Sequence, residues 1–270
     1  MTDLLTWKHR PSVVDMETPA NVLITGGSRG IGFAFARRYL AQGARVLVTG
    51  RSAPDLERAA AAAPGLETTV SDLGAPADRE ALARLVSAAM PGLDLLVHNA
   101  GIQRRIALAA DTSPWTDRAS EIGINLAGPV HLSHLLIPVM LAHRRPATVV
   151  TVTSGGAFVP QPFAPLYSAT KAALHSYTVN LRFSLAATPV TVVEVIPPAV
   201  ATGLSGLENP HGVAVDEFAD AVVAGIAAGR RVVGYGPTAE PAFTARLQAE
   251  DDAFTAASAR FPVATYAGQA

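Results

Sequence analysis

Six short apolar runs of β-forming character, separated by Ala-rich stretches of helical spacing, limit what this chain can fold into more than any other feature. The runs are Asn21–Thr25, Arg45–Thr49, Glu67–Ser71, Leu93–His98, Thr148–Thr153 and Thr191–Ile196, with a weaker seventh at Arg231–Tyr235. Between the first six lie Gly32–Ala41, Leu56–Ala63, Asp78–Met90, Trp115–His143 and Ser168–Leu185, and two more helices are expected at Asp216–Ala228 and Ala239–Ala257. Strand alternating with helix predicts a parallel sheet carrying helices on both faces. The runs are nearly continuous in apolar character, as strands covered on both sides are. The expected fold is α/β: one domain built on a doubly wound parallel sheet of about seven strands. The layout reads as an N-terminal extension over 1–20, a catalytic domain over 21–262 and a C-terminal tail over 263–270. Within the domain, the Pro-, Gly-, Asn- and Ser-bearing stretch at 198–214 reads as a loop bordering the ligand crevice.

The first run leads into Thr25-Gly26-Gly27-Ser28-Arg29-Gly30-Ile31-Gly32, and a helix follows. Glycines in this setting allow a tight turn, close approach of backbone to a pyrophosphate and close helix–strand packing. The helix N-terminus supplies free N–H groups and a favourable dipole for phosphate. Strand, glycine turn and helix in sequence form the dinucleotide-binding signature of a Rossmann fold. Sheets of this kind that bind NAD usually end the second strand in Asp or Glu, which accepts from the ribose hydroxyls. This chain has Thr49-Gly50-Arg51 there, with Arg29 in the turn nearby. A guanidinium pairs with a 2′-phosphate that a carboxylate would repel, so the expected cofactor is NADP(H).

Tyr167 and Lys171 stand four apart at the start of a long helix, on one face. A free phenol ionises near 10, and a neighbouring ammonium favours the phenolate, so Lys171 is expected to lower Tyr167 toward working pH. Ser154, at the end of the fifth run, is placed to hydrogen-bond a substrate oxygen as charge develops on it.

The Thr25–Gly32 turn, Asn99-Ala100-Gly101, Asn125, Ser154 and Tyr167–Lys171 occur in the order and spacing of the short-chain dehydrogenase/reductase family, and the chain resembles that family from about Asn21 to Thr202. The stretches Thr153–Pro160, Tyr167–Arg182 and Val195–Pro198 look like the DltE-type subgroup of bacterial reductases. The resemblance implies that Tyr167 is the general acid in carbonyl reduction and that Ser154 polarises the carbonyl. Lys171 would lower the Tyr167 pKa and bind the nicotinamide ribose, and Asn125 would hold a water linking Lys171 to solvent. On the cofactor side it implies Gly26, Ser28, Arg29, Gly30, Ile31, Gly32, Arg51, Asp72, Leu73, Asn99, Ala100, Gly101, Pro197 and Thr202, with Asp72 at the adenine. It further implies a homodimer or homotetramer, assembled through the Ser168–Leu185 helix and the long one before it. Two departures stand out: Pro197-Pro198 replaces the family's Pro-Gly, and His98 replaces the more usual Asn before Asn99.

Substrate contacts are expected from Gly155, Gly156, Phe158, Phe163 and Leu166, from Leu204 and Leu207 of the loop, and from Gln103, Arg104 and Arg105. The activity expected is NADP(H)-dependent interconversion of a ketone or aldehyde and an alcohol. Two rival readings are a non-redox enzyme of the same fold (epimerase or dehydratase) and a non-enzymatic NADP(H) sensor.

Composition excludes several other functions. A formal net charge of −1 recruits neither nucleic acid nor anionic membrane, and the absence of cysteine excludes disulfides and thiolate chemistry. No stretch reads as a membrane helix of about 20 apolar residues, and the N-terminus, which carries acidic residues and no uninterrupted apolar core, does not read as a signal peptide, so a cytoplasmic location is expected. His131 and His134 lie three apart without a clear third ligand, and no metal is expected.

Overall fold

The computed structural model describes residues 18–204, 212–261 and 263–266. The extension at 1–20 therefore lies almost wholly outside the described residues, as does Leu207, and the tail is described only as far as Tyr266. Seven strands form one sheet: β1 (Asn21–Ile24), β2 (Arg45–Gly50), β3 (Glu67–Val70), β4 (Leu95–His98), β5 (Ala147–Val152), β6 (Val190–Ile196) and β7 (Val232–Gly234). Their order is β3-β2-β1-β4-β5-β6-β7, and all are parallel. The helices are α1 (Gly30–Ala41), α2 (Ala53–Ala62), α3 (Pro76–Ala89), α4 (Trp115–Ile122), α5 (Gly128–Ala142), α6 (Pro165–Leu185), α7 (Val215–Ala227) and α8 (Pro241–Ser258).

Alternation along the strands divides the core in two. Val22 and Ile24 join a cluster with Phe35 of α1 and Phe218 of α7. Leu23 joins the opposite cluster with Leu132, Leu136, Ile137 and Met140 of α5 and Leu181 of α6. Strand order reverses between β1 and β4, and the crevice at the carboxyl ends of strands beside such a switch point is where open α/β sheets bind ligands.

The single helix expected over Trp115–His143 has a widened turn in its middle. Residues Gly123–Ala127 are π-helical, and the Gly128 N–H bonds the Gly123 carbonyl five residues back. The sequence contains the reason: Pro129 has no N–H to give the Asn125 carbonyl four residues before it. This 28-residue stretch also corrects the expectation about membrane helices. Its most apolar window has mean hydropathy 1.4, enough by length and composition to cross a membrane. Half of that window is buried inside the protein, with Leu132, Leu136, Ile137 and Met140 fully enclosed in the core.

Candidate active site

β1 delivers the chain to the glycine turn, and the turn's geometry demands glycine. Gly26 has φ +66°, and a Cβ there would lie 2.7 Å from the Ala100 Cα. Gly30 has φ +57° and opens α1. The α1 N-terminus has no side-chain cap and no acidic residue in its first turn, so its N–H groups face the cleft unblocked. Asn99 ties the turn to β4: its side-chain amide donates to the Thr25 and Gly26 carbonyls at 3.0 and 2.9 Å. Thr25 Oγ1 in turn accepts from the Asn99 and Ala100 N–H groups, both at 3.1 Å.

The cleft above these elements has a volume of about 1180 Å3. From the glycine turn and the strand ends beside it, Gly26, Ser28, Arg29, Gly30, Ile31, Arg51, Asp72, Leu73, Asn99, Ala100 and Gly101 line it. Ser154, Tyr167, Lys171, Pro197 and Thr202 line the same cleft. So do Gly155, Gly156, Phe163, Leu204, Gln103 and Arg105. A backbone cradle that a Cβ would fill, an uncapped helix start and a cleft of this length fit a dinucleotide with room beyond it.

Four sequence expectations need correction, and a fifth residue, Asn125, is placed by its side-chain bonds. Gly32 does not face the cleft: its missing Cβ would lie 2.4 Å from Asn99 Nδ2 and 2.5 Å from the Gly26 carbonyl oxygen, so this glycine serves helix–strand packing. Phe158 is buried behind the wall, its ring 4.6 Å from the His175 ring and 5.0 Å from Phe243. Leu166 is also absent from the lining. Arg104 turns away from the cleft toward Asp111, Ser113 and Asp117. Asn125 is fully buried outside the lining, and its side chain is committed elsewhere. It accepts from the Ile102 N–H at 2.9 Å and donates to the Ile102 carbonyl at 2.9 Å and to Thr170 Oγ1 at 3.2 Å. The histidines expected to have no metal role sit far from this chemistry, on α5, beside a second cavity that Arg79 and Tyr177 also line.

Burial sets the electrostatics. Lys171 is 3 % exposed and donates to the Val152 carbonyl at 2.7 Å, and burial lowers it from 10.5 to about 8. Tyr167 is raised above 10, against expectation. Burial is the main cause; a hydrogen bond with Ser154 pulls the other way, and the charge of Glu121 adds to the rise. The Lys171 ammonium lies 5.7 Å from the Tyr167 ring centroid and is spent on a carbonyl, so desolvation wins. Tyr167 is thus a neutral phenol, a proton donor, at neutral pH.

Several cleft residues carried no sequence signal as lining: Gln161 and Pro162 from the turn before α6, Thr238 before α8, and Phe243 of α8 itself, while Val159 and Pro160 stood out only as part of the Thr153–Pro160 resemblance. Glu121 was also missed. It is fully buried, with one carboxylate oxygen accepting the Arg104 N–H and the other without a partner. An acid in the polar stripe of an exposed-looking helix gives no sign in sequence that the chain folds over it.

Comparison with known proteins points to one family. Residues 20–211 match the family model of the short chain dehydrogenases. The uncharacterized oxidoreductase DltE of Bacillus subtilis is 38% identical over 222 residues, covering 80% of this chain and 88% of that protein. A short-chain dehydrogenase from Sphingobium yanoikuyae, in complex with NADPH, superposes with a TM-score of 0.78 at 25% identity, covering 91% of this chain and 97% of that one. A short-chain dehydrogenase/reductase from Burkholderia phymatum, in complex with NAD, shares the fold with a TM-score of 0.74 at 24% identity, covering 87% and 94%. Solved structures similar to this chain thus include complexes with either nicotinamide cofactor, and the chain belongs to the short-chain dehydrogenase family of oxidoreductases.

Proposed function

We propose that the protein reduces a ketone or aldehyde to an alcohol with NADPH, and runs the reverse reaction when the alcohol and NADP are supplied. The observation that carries this reading is that Ser154, Tyr167 and Lys171 line the same cleft as the glycine cradle. The bound cofactor would supply the hydride. Tyr167, held neutral by burial, donates its phenolic proton to the carbonyl oxygen, while the Ser154 hydroxyl orients that oxygen. Lys171, half-titrated near pH 8, replenishes the Tyr167 proton. The Asn125 side chain is occupied, so a proton path to solvent runs past its backbone carbonyl, which Pro129 leaves without its helical donor. Asn125 and Lys171 are held close: a Cβ on Gly101 would lie 3.3 Å from Asn125 Oδ1 and 3.6 Å from Lys171 Nζ.

NADPH over NADH follows from the end of β2. Arg51 and Arg29 both line the cleft there. Asp55, in the first turn of α2, lines it too but is engaged by Arg58, which offsets its repulsion of a 2′-phosphate. The substrate end, with Val159, Phe163, Leu204 and Phe243, favours an apolar body on the carbonyl compound. We place the enzyme in the cytoplasm as a homodimer or homotetramer without nucleic-acid or membrane partners, on its charge balance and family.

The test is NADPH oxidation against a panel of ketones and aldehydes, with NADH and Tyr167→Phe in parallel. Turnover that needs NADPH and vanishes in the variant is the expected result. NADPH binding without turnover on any carbonyl would overturn it in favour of a sensor. A product formed with no change in nicotinamide absorbance would overturn it in favour of a non-redox reaction.

A further inference from the structure

Behind the wall that carries Ser154 lies an ion pair the reaction does not touch. Glu194 of β6 is 1 % exposed and takes bonds from two sides. Thr153 Oγ1 donates to its Oε1 at 2.7 Å, and His175 Nδ1 lies 3.0 Å from both carboxylate oxygens. His175 stands one turn beyond Lys171 on α6. Its ring also meets the Phe158 ring edge-on. Thr153 immediately precedes Ser154, and Phe158 closes the short helical turn Gly155–Ala157 that follows it. The histidine and the glutamate therefore grip the Ser154 turn at both ends, one by hydrogen bond and one by ring contact.

We propose that His175 and Glu194 are a positioning pair that fixes the Ser154 turn against Tyr167 and Lys171. The inference rests on the reductase reading of this site. A carboxylate at this depth is tolerable only when paired, so the pair holds its place strongly. Burial pulls the His175 pKa down, but the hydrogen bond and charge of Glu194, with Glu250 of α8 beyond, outweigh it and hold the ring protonated above its usual range. Glu250 Oε2 lies 3.3 Å from His175 Nε2, so α8 closes the network from outside. Arg246 of α8, over the Phe158 ring, donates to the Phe158 carbonyl at 2.9 Å. Arg182, further along α6, also feels the charge of Glu194. Ser154 and Lys171 are thus set by the same element: α6 carries the ammonium directly and the serine turn through His175.

The test compares Glu194→Gln, His175→Phe and the conservative His175→Gln, which keeps a donor toward Glu194. Three readouts are needed: kcat and KM, NADPH affinity by fluorescence titration, and amide hydrogen exchange by mass spectrometry. Loss of a bond to a charged group should lower kcat about tenfold or more in the first two variants, with NADPH affinity unchanged. Exchange should quicken at Gly156–Val159 and stay as it was at the Gly26–Ile31 turn, and His175→Gln should recover most of both effects. Exchange unchanged at Gly156–Val159, or quickened equally across the chain, overturns the proposal whatever happens to kcat. If the wild type turns over no carbonyl, the reductase reading fails, while the exchange measurement still decides whether the pair holds the turn.

Discussion

Lys171 and Arg51 illustrate two ways a cation can be used in one cleft, and each leads to a measurable outcome. Lys171 is nearly enclosed, and its fall from 10.5 to about 8 means that its charged form is disfavoured in the folded protein. The unfolded chain holds this proton more tightly, so stability rises between about pH 8 and 10.5 and the full penalty applies below that window. A shift of that size is about 3 kcal/mol, against about 1 kcal/mol for the bond to the Val152 carbonyl. Lys171→Met should therefore abolish turnover and raise stability at pH 7 by about 1–2 kcal/mol, with the gain fading toward pH 10. Denaturant unfolding at several pH values checks this, and a variant less stable than wild type at pH 7 defeats it. Arg51 is exposed and lines the rim of the cleft, so its removal should act on affinity alone. Arg51→Ala should raise the KM for NADPH about 10- to 100-fold, the worth of a charge-assisted pair, and leave that for NADH within about twofold. Equal effects on both cofactors would remove Arg51 from 2′-phosphate recognition. The sequence displays both residues plainly because their motifs are local. It could not display the direction of the Tyr167 shift, which depends on how much of the fold closes over the ring.

At the scale of elements, the motif-bearing loops are anchored by contacts that sequence reading does not reach. The loop after β6 is pinned where it leaves and returns: Val200 pairs with Val213 in a parallel bridge, with Ala201 N–H to the Val213 carbonyl and Val213 N–H to the Ala199 carbonyl, both at 2.9 Å. Thr202 sits just past this pin, its methyl 3.4 Å from where a Gly30 Cβ would stand. Gly212 makes the close approach possible, since a Cβ there would lie 2.5 Å from the Ala201 nitrogen. Gly212→Ala should therefore spread the pin, raising the KM for cofactor several-fold while costing global stability no more than about 1–3 kcal/mol. Cofactor titration beside thermal unfolding separates the two; a large stability loss with unchanged KM would show that the pin does not serve the cleft. The central strands were legible because burial on both faces writes apolar runs into them, whereas the edge strand β3, largely unburied, was legible only from its β-branched residues and its place in the alternation. The π-turn at Gly123–Ala127 was not, although its cause, Pro129 four residues after Asn125, stands in the sequence. The contribution of α8 was hidden for another reason: Phe243 reaches the cleft from a helix with no buried residue, so nothing in its pattern marks one face as functional.

Across the whole molecule, the two core clusters meet the active cleft through β4, and the residue at that junction contributes to how stability varies with pH. His98 ends β4 immediately before Asn99 and is 1 % exposed. Its Nε2 lies 2.8 Å from Ser133 Oγ of α5, and its Nδ1 has no partner. Burial drives it from 6.5 to about 3, so it stays neutral in the folded state while the unfolded chain takes up a proton below 6.5. Stability must then fall as pH falls through that interval, by about 2 kcal/mol between pH 6.5 and 5. His175 adds no slope there. Its folded pKa is raised, so both states are protonated below 6.5, and its contribution is lost only as pH rises through the raised value. Glu121 works against the slope, because burial raises its pKa and the folded state takes up that proton first. Comparing wild type with His98→Asn cancels the Glu121 contribution, which both proteins share. The shorter side chain leaves a cavity and should cost about 1–2 kcal/mol at pH 7, but the fall from pH 6.5 to 5 should shrink by about 2 kcal/mol, and the two curves should converge. Urea unfolding at four pH values measures both quantities. Parallel curves would mean that His98 gains its proton within the fold, and that the β4–α5 junction admits water beside the cofactor turn.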